Sequence, residues 1–587
     1  MRNSALTSAQ RAANGNGWRR YVPALAWVRN YRRDYLAGDL MAGLVVAIML
    51  VPQSMAYALL GGLPPQAGLY ASIAPLVVYA LLGTSRALAV GPVAIVSLLV
   101  ASGLSPLAEP GSAAYVQLAL TLAFLAGIVQ VAMGLARMGF LVNFLSYPVL
   151  AGFTSAAALV IGLSQVRTLL GIKIPQTDKF LETLLYTVQG AGRTNWVTLA
   201  IGLGSLALLL YFRGGLGKHL ARLGLSRPLI VTITRSGPLV VALLGTLVVA
   251  ALDLDRRAGV QVVGRVPAGL PPLTWPTVDL ALWAALLPTA LAISLVGYTE
   301  SISVAKALAS KRRQKVDPDQ ELLALGAADV AAALTGGYPV TGGLSRSSVN
   351  FAAGANTGLA SLVTAGLMAL TVLFFTPAFT YLPNAVLAAI IVAAVTNLFD
   401  LETLREAWRY NKADAASWLV TFGVVLAWGI EVGIGAGVLT SLALFLWRTS
   451  RPHMAVVGRV GETEHFRNVL RHPVRTCPHV IAVRVDESLY FANTRYLEDQ
   501  LLAMVADRPE VRHLLLICSA INFIDASALQ TLEALHEELR DAGVQLHLAE
   551  VKGPVMDRLQ AIGFVERLGA QHIFLSTHEA MRALECV

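Results

Sequence analysis

This sequence is short of charge. Only 14% of its 587 residues are Asp, Glu, Lys or Arg, where about a quarter is usual for a soluble chain. With 56% hydrophobic residues, that shortage excludes an ordinary soluble protein and implies a membrane home. Histidine is missing where it would matter most: all ten stand at His219 or from His453 onward, outside the apolar runs. An intramembrane metal site built on imidazole is thereby excluded, and a proton relay among those runs has to use carboxylates. Cysteine is almost absent. Cys477, Cys518 and Cys586 lie in the C-terminal region with neither paired nor metal-like spacing, so a reduced, cytosolic setting without a metal is expected. There is no nucleophile elbow, P-loop or HExxH pair, so neither an enzyme nor a bound cofactor is expected.

The charges that are present are placed with a pattern. The net +9 would suggest nucleic acid in a soluble chain, but here Arg and Lys flank hydrophobic segments, as the positive-inside rule requires, and no nucleic-acid partner is expected. Arg2, Arg11, Arg19, Arg20, Arg29, Arg32 and Arg33 precede the first apolar run without a short hydrophobic core and cleavage site, so the first span is expected to do the targeting. Long apolar stretches run Leu118 to Leu135, Val149 to Val166, Trp196 to Phe212, Pro228 to Leu252, Leu280 to Leu308, Leu359 to Phe375, Ala416 to Ile430 and Gly433 to Trp447. Others are shorter or interrupted by Pro and Gly: Asp39 to Leu60, Leu69 to Leu82, Ala89 to Ser102, Glu321 to Leu334, Leu344 to Ala353 and Pro383 to Thr396. About fourteen crossings result. Alternating them from a cytoplasmic N-terminus puts Arg86, Arg137, Arg213 to Arg227, Lys311 to Lys315 and Arg405 to Lys412 on the cytoplasmic side of the cell membrane and returns the C-terminus there.

After Cys477 the pattern turns to short apolar strands (Val480 to Val485, Leu514 to Cys518, Val544 to Glu550, Ile573 to Leu575) alternating with helical stretches. That is a small soluble α/β domain. The division expected is therefore an N-terminal segment 1–36, a membrane domain 37–450, a linker 451–476 and a cytoplasmic domain 477–587.

Two interrupted segments share one design. Ala89-Val90-Gly91-Pro92-Val93 opens one, and Tyr338-Pro339-Val340-Thr341-Gly342-Gly343-Leu344-Ser345-Arg346 opens the other. Each is a short extended stretch followed by a helix too short to cross alone. Paired broken segments in two halves point to a midplane site, because helix starts offer free N–H groups and a partial positive charge. The implied ligand is a small anion, and the spacing fits an inverted repeat of seven plus seven helices. The alternative is that the prolines only kink ordinary helices.

Ions inside apolar segments have to face a cavity or a partner. Glu300 lies within Ser294 to Ser301, Arg346 one turn into the second short helix, and Asp329 within Gly326 to Thr335. Glu300 reads either as a structural carboxylate paired with Arg346 or as a group that takes up and releases a proton and so couples proton to anion movement. One turn on from it stands Val304 rather than an oxygen ligand, which favours H+ over Na+. Ser301 and Ser303 keep Na+ open. Arg346 either faces the anion or neutralises Glu300.

Taken in order, Val51-Pro52-Gln53-Ser54-Met55-Ala56-Tyr57-Ala58, Gly68 to Ser72, Gly83 to Arg86, Gly91-Pro92-Val93-Ala94, Gly152 to Ser155, Gly297 to Ser301 and Tyr338 to Asn350 resemble the sulfate permease (SulP) family of anion transporters, which carries a C-terminal STAS domain. The resemblance implies a polytopic helical fold of core and gate domains, a homodimer, anion binding between the third and tenth helices and an elevator-like motion. It carries Glu300 onto an ion-coupling position, Gly91 to Ala94 and Gly343 to Arg346 onto the two substrate-facing helix starts, and Gln53 and Tyr57 onto lining positions. Asp329 departs from the uncharged residue expected and adds a second titratable candidate. Ala526 in Asp525-Ala526-Ser527 replaces the serine phosphorylated in related STAS proteins, so that regulation is not expected.

The function these features favour is proton-coupled uptake of sulfate or a dicarboxylate, with bicarbonate next. The rivals are a sodium-coupled bicarbonate transporter, a nucleobase carrier of the same architecture, a passive channel, and a membrane-anchored signalling module whose STAS domain binds a cytosolic partner.

Overall fold

The structure is a computed structural model that describes residues 22–587 except 145, 174–179, 226 and 397; Arg2, Arg11, Arg19 and Arg20 lie outside the described residues. Two compact units divide at Ser441/Leu442.

The first unit is helical. Its apolar segments, numbered in chain order, are α1 (Leu36–Leu60), α2 (Pro65–Leu82), α3 (Ala94–Leu104), α4 (Ala113–Leu135), α5 (Tyr147–Leu170), α6 (Trp196–Gly214), α7 (Gly237–Leu252), α8 (Leu280–Ser310), α9 (Pro318–Leu334), α10 (Leu344–Ala352), α11 (Leu359–Leu370), α12 (Asn384–Val395), α13 (Lys412–Trp428) and α14 (Ile430–Thr449). Among the described residues, eight helices are long and apolar enough to cross a membrane, or nine if one bent pair counts as a span. The short α3, α10 and α12 fall below that test, as their interrupted sequences lead one to expect.

Two expectations change. Asp39 to Leu60 is not interrupted: Pro52 sits inside a continuous 25-residue helix, buried with its neighbours, the setting in which membrane helices accommodate proline. Pro228 to Leu252 is broken by a 46° bend after Arg235. Pro238 stands in the first turn of α7, where its missing N–H costs nothing, so it starts a new helix.

The helices pack as two groups. In one, α4 lies along α8 and α9, α2 along α9, and α1 along α11; in the other, α5 lies against α12 and α13, and α6 against α12. The α4–α9 contact is close enough to require glycine. A Cβ on Gly127 would stand 2.7 Å from the Gly326 carbonyl oxygen, and one on Gly326 2.6 Å from that of Gly127. Small residues that let backbones approach drive helix association where no water is expelled.

The second unit is a six-stranded sheet in the order β4-β3-β5-β6-β7-β8. Its strands are β3 (Met454–Arg459), β4 (Phe466–Asn468), β5 (Val480–Val485), β6 (His513–Ile517), β7 (Gln545–Ala549) and β8 (Ile573–Phe574); its helices are α15 (Thr494–Ala506), α16 (Ala526–Asp541), α17 (Gly553–Ala561) and α18 (Thr577–Ala583). Strands β5 to β8 run parallel. Alternate residues serve opposite faces. Ile481, Val483, Leu514, Leu516, Leu546 and Leu548 pack against α15, α16 and α17, while Ala482, Leu515, Ile517 and Ala549 pack with Met581 of α18. The stretch 451–476, expected as a linker, carries β3 and β4, and β3 pairs antiparallel with β5. Asp525 caps α16, its carboxylate accepting from Ala528 N–H at 2.8 Å.

Against the expectation from spacing, Cys477 and Cys586 are joined as a disulfide, 109 residues apart with Cα atoms 5.7 Å apart. The fold brings them together by docking α18 beside the leading end of β5, which no local spacing records. Cys518 is free and buried; burial pushes its thiol up to about 12.

Candidate functional site

The two broken segments meet. β1 (Val90–Gly91) and β2 (Thr341–Gly342) pair antiparallel, Val90 opposite Gly342 and Gly91 opposite Thr341. α3 and α10 leave this ribbon at its two ends, so their N-termini face a common space. The first intrahelical bonds are made by Ser97 N–H to the Val93 carbonyl and Ser347 N–H to the Gly343 carbonyl, each 3.0 Å. The amides just before them have no acceptor within the helix and carry its positive pole. Gly91 has φ +150°, a region glycine tolerates and other residues rarely enter.

The ribbon is bolted from several sides. Ser347 Oγ accepts from Ala89 N–H at 2.9 Å, and Asn350 Nδ2 donates to the Ala87 carbonyl at 3.0 Å. Thr341 Oγ1 reaches the Gly297 carbonyl at 2.7 Å and lies 2.6 Å from Ser301 Oγ, which also accepts from Gly342 N–H at 2.8 Å. Gly297 and Ser301 flank Glu300 on α8, so β2 and the acidic helix are held in one register.

A cavity of about 750 Å³ opens at the two helix starts. Gln53, Tyr57, Val93, Ala94, Glu300, Gly343, Leu344, Ser345 and Arg346 all line it. Gly91, Pro92 and Asp329 lie outside the lining: the first two shape the ribbon behind it, and fully buried Asp329 accepts from Val340 N–H at 2.7 Å, its other oxygen unpartnered.

Arg346 is 2% exposed. Its Nη1 donates to the Pro92 carbonyl, its Nε and Nη2 have no partner, and Nη2 lies beside Gly343 and Gly91, 3.3 and 3.4 Å from where a Cβ would stand on each. A guanidinium with unsatisfied donors beside two helix N-termini has the donor chemistry that an oxyanion requires. Glu300 faces the same cavity with Oε2 buried and unpartnered, and the two side chains form no ion pair within hydrogen-bonding reach.

Sequence reasoning missed the opposite wall. Leu209, Phe212, Arg213, Thr234, Arg235 and Ile390 close the cavity from α6, the bent segment before α7, and α12. Arg213 reads in sequence only as a topological charge and Arg235 falls unremarked inside the apolar stretch Pro228 to Leu252; that both stand beside proline or glycine breaks was the available signal. A second cavity, about 400 Å³, is lined by Leu60, Leu98, Ser102, Arg167, Lys173 and Leu387. The two hollows touch successive stretches of α1, α3 and α12, with those helices as the partition.

Two other fully buried carboxylates, Glu321 and Asp39, and half-buried Glu431 have hydrogen-bond donors. Glu321 accepts from Tyr79, Thr84 and Ser85 at 2.6–3.1 Å. Asp39 accepts from Asn356 and Thr357 at 2.6–3.1 Å, and Glu431 from Thr289 at 2.6 Å.

With this geometry in place, the chain was compared with known proteins. The family model described as Sulfate permease family matches residues 36–421, and a STAS domain model matches 472–580. "Probable sulfate transporter 4.2" of Arabidopsis thaliana is 38% identical over 573 residues, covering 95% of this chain and 83% of that protein. A probable sulfate transporter of Mycobacterium tuberculosis is 35% identical over 569 residues, covering 97% and 98%. Among solved structures, the murine Solute Carrier 26 family member A9 anion transporter in the inward-facing state superposes with a TM-score of 0.88 at 26% identity, over 100% of this chain and 96% of that one.

Proposed function

The chain belongs to the sulfate permease family of multi-pass membrane anion transporters, and on that premise we propose that it takes up sulfate, or a dicarboxylate of similar charge, together with protons. The anion binds between the starts of α3 and α10, where the unsatisfied donors of Arg346 and the free helix amides converge. That convergence carries the reading: a doubly charged oxyanion supplies acceptors to Nε and Nη2 of Arg346 at once, and the sulfate transporters among its relatives support the substrate class.

Glu300 is the coupling group. Protonated, it adds no repulsion to an arriving anion in the shared cavity; ionised, it would oppose one, so anion and proton enter together. Transport proceeds as the helices bearing the ribbon shift against α12, exchanging the larger hollow for the smaller one as the open path. The larger cavity reaches the end of the bundle carrying Arg213 and Arg235, which under the positive-inside rule is the cytoplasmic side of the cell membrane, with both termini there and a homodimer as the assembly.

The test is binding. Calorimetric titration of sulfate into the purified protein is expected to weaken by roughly ten- to a hundredfold in Arg346→Ala, the loss of about 1.5–3 kcal/mol for a hydrogen bond to a charged group. Unaltered sulfate binding in that variant would remove Arg346 from the site. Thermal shifts with sulfate, oxalate and bicarbonate then rank the substrates, since a ligand of the folded state raises the melting temperature.

A further inference from the structure

The tail holds a second constellation that anion transport does not use. Cys477, His479 and Cys586 present ligand atoms that all lie within 4.8 Å of one another, each residue partly open to solvent. Cys477 Sγ is 3.6 Å from the His479 ring nitrogens and Cys586 Sγ 3.4 Å from Nε2. A tetrahedral zinc with one sulfur and one nitrogen ligand sets those two atoms about 3.5 Å apart. His479 Nε2 also lies 3.2 Å from the Leu584 carbonyl; when Nε2 donates its proton there, Nδ1, 3.6 Å from Cys477 Sγ, is the nitrogen left to ligate, a small turn of the ring being needed to aim it, and a carbonyl on the other nitrogen is the outer-sphere arrangement that orients metal-bound imidazoles.

His479, His513, His547 and His572 form a row of imidazoles across the leading ends of β5 to β8, with neighbouring ring centroids 6.3, 5.1 and 4.9 Å apart.

We propose that in the dithiol form of the tail Cys477, His479 and Cys586 bind one zinc-class divalent ion, with the fourth position open to water or another ligand. The disulfide is the competing state. A dithiol reductant supplies two electrons: its own two sulfurs join, the Cys477–Cys586 bond breaks, and each freed sulfur takes a proton that the metal then displaces to solvent. Because the ligands come from the entry of β5 and from the residues after α18, the ion ties the chain's last helix to the sheet.

The experiment is a cobalt(II) chloride titration of the full chain in detergent, after reduction with a phosphine. One equivalent is expected to produce the near-ultraviolet thiolate-to-cobalt absorption, and zinc chloride to abolish it. Cys477→Ser and Cys586→Ser should each reduce the thiolate band by half or more and the double variant should lose it, His479→Ala should weaken binding about tenfold or more, and Cys518→Ser should behave as the parent. Parent protein oxidised with diamide should show no band, which keeps the test valid if a serine variant misfolds. Absence of the band in reduced parent protein, or its survival in the Cys477→Ser/Cys586→Ser double variant, would overturn the site, and unchanged affinity in His479→Ala would remove the imidazole from it.

Discussion

At the residue scale the site turns on which buried polar atoms lack partners. Arg346 and Glu300 both do, in one cavity, without pairing to each other. Glu300→Gln preserves shape and hydrogen-bonding capacity and removes only the ionisable proton, so accumulation of labelled sulfate by proteoliposomes under an imposed pH gradient is expected to fall to background while binding persists. Gradient-driven uptake at the parental rate would sink the coupling role. Asp329 is assigned differently. One oxygen holds the Val340 amide at the root of β2, and the residue is outside the cavity lining. Asp329→Asn keeps that acceptor and should transport normally, whereas Asp329→Ala strands a buried N–H and should lose about 1–3 kcal/mol of stability, read from the melting temperature. Loss of uptake in Asp329→Asn with an unchanged melting point would instead make it a second proton carrier.

At the element scale, the sequence was legible where the physics is local. The starts of α3 and α10 declared themselves by Pro and Gly beside apolar runs too short to cross, and four of the tail's six strands by their short apolar pattern. Glu300 and Arg346 stood out because ions in apolar runs require a reason. What could not be read depends on distant chain. The wall from α6, the bent segment before α7 and α12 comes together only in the fold, and β3 and β4 are partly polar, β3 taking its place by pairing with β5 and β4 by pairing with β3. The Gly127–Gly326 contact is similar: glycines in two apolar helices, meaningful only once α4 and α9 are side by side. Gly326→Ala places a Cβ against a carbonyl that cannot move aside and is expected to cost roughly 1–3 kcal/mol. The check is the detergent-solubilised melting temperature, and no change would mean that the helices separate freely.

At the scale of the whole molecule, acid sensitivity is unevenly distributed because histidine is. Only His219 lies before residue 453, whereas the tail buries a row of imidazoles. His547, 2% exposed, has its Nδ1 unpartnered and its Nε2 3.1 Å from His513 Nδ1; His572 and Phe574 pack against its ring. Burial, then His572 and His513, lower it from 6.5 to about 4. Unfolding restores the ordinary affinity, so the unfolded tail binds more protons between those values. The stability contributed by the neutral form is therefore complete above about pH 6.5 and is lost progressively as pH falls toward 4, on the order of 2 kcal/mol after allowing for solvent screening. Eight of the nine tryptophans precede Leu442 and the ninth, Trp447, stands on α14, so tryptophan fluorescence follows chiefly the helical unit while far-ultraviolet circular dichroism also sees the sheet. A dichroism transition absent from fluorescence should shift to lower temperature between pH 7 and pH 5, and His547→Phe should flatten that dependence. If the tail's transition holds its temperature across that range, the imidazole row is not buried neutral in solution, and its packing between β6 and β8 has to be drawn differently.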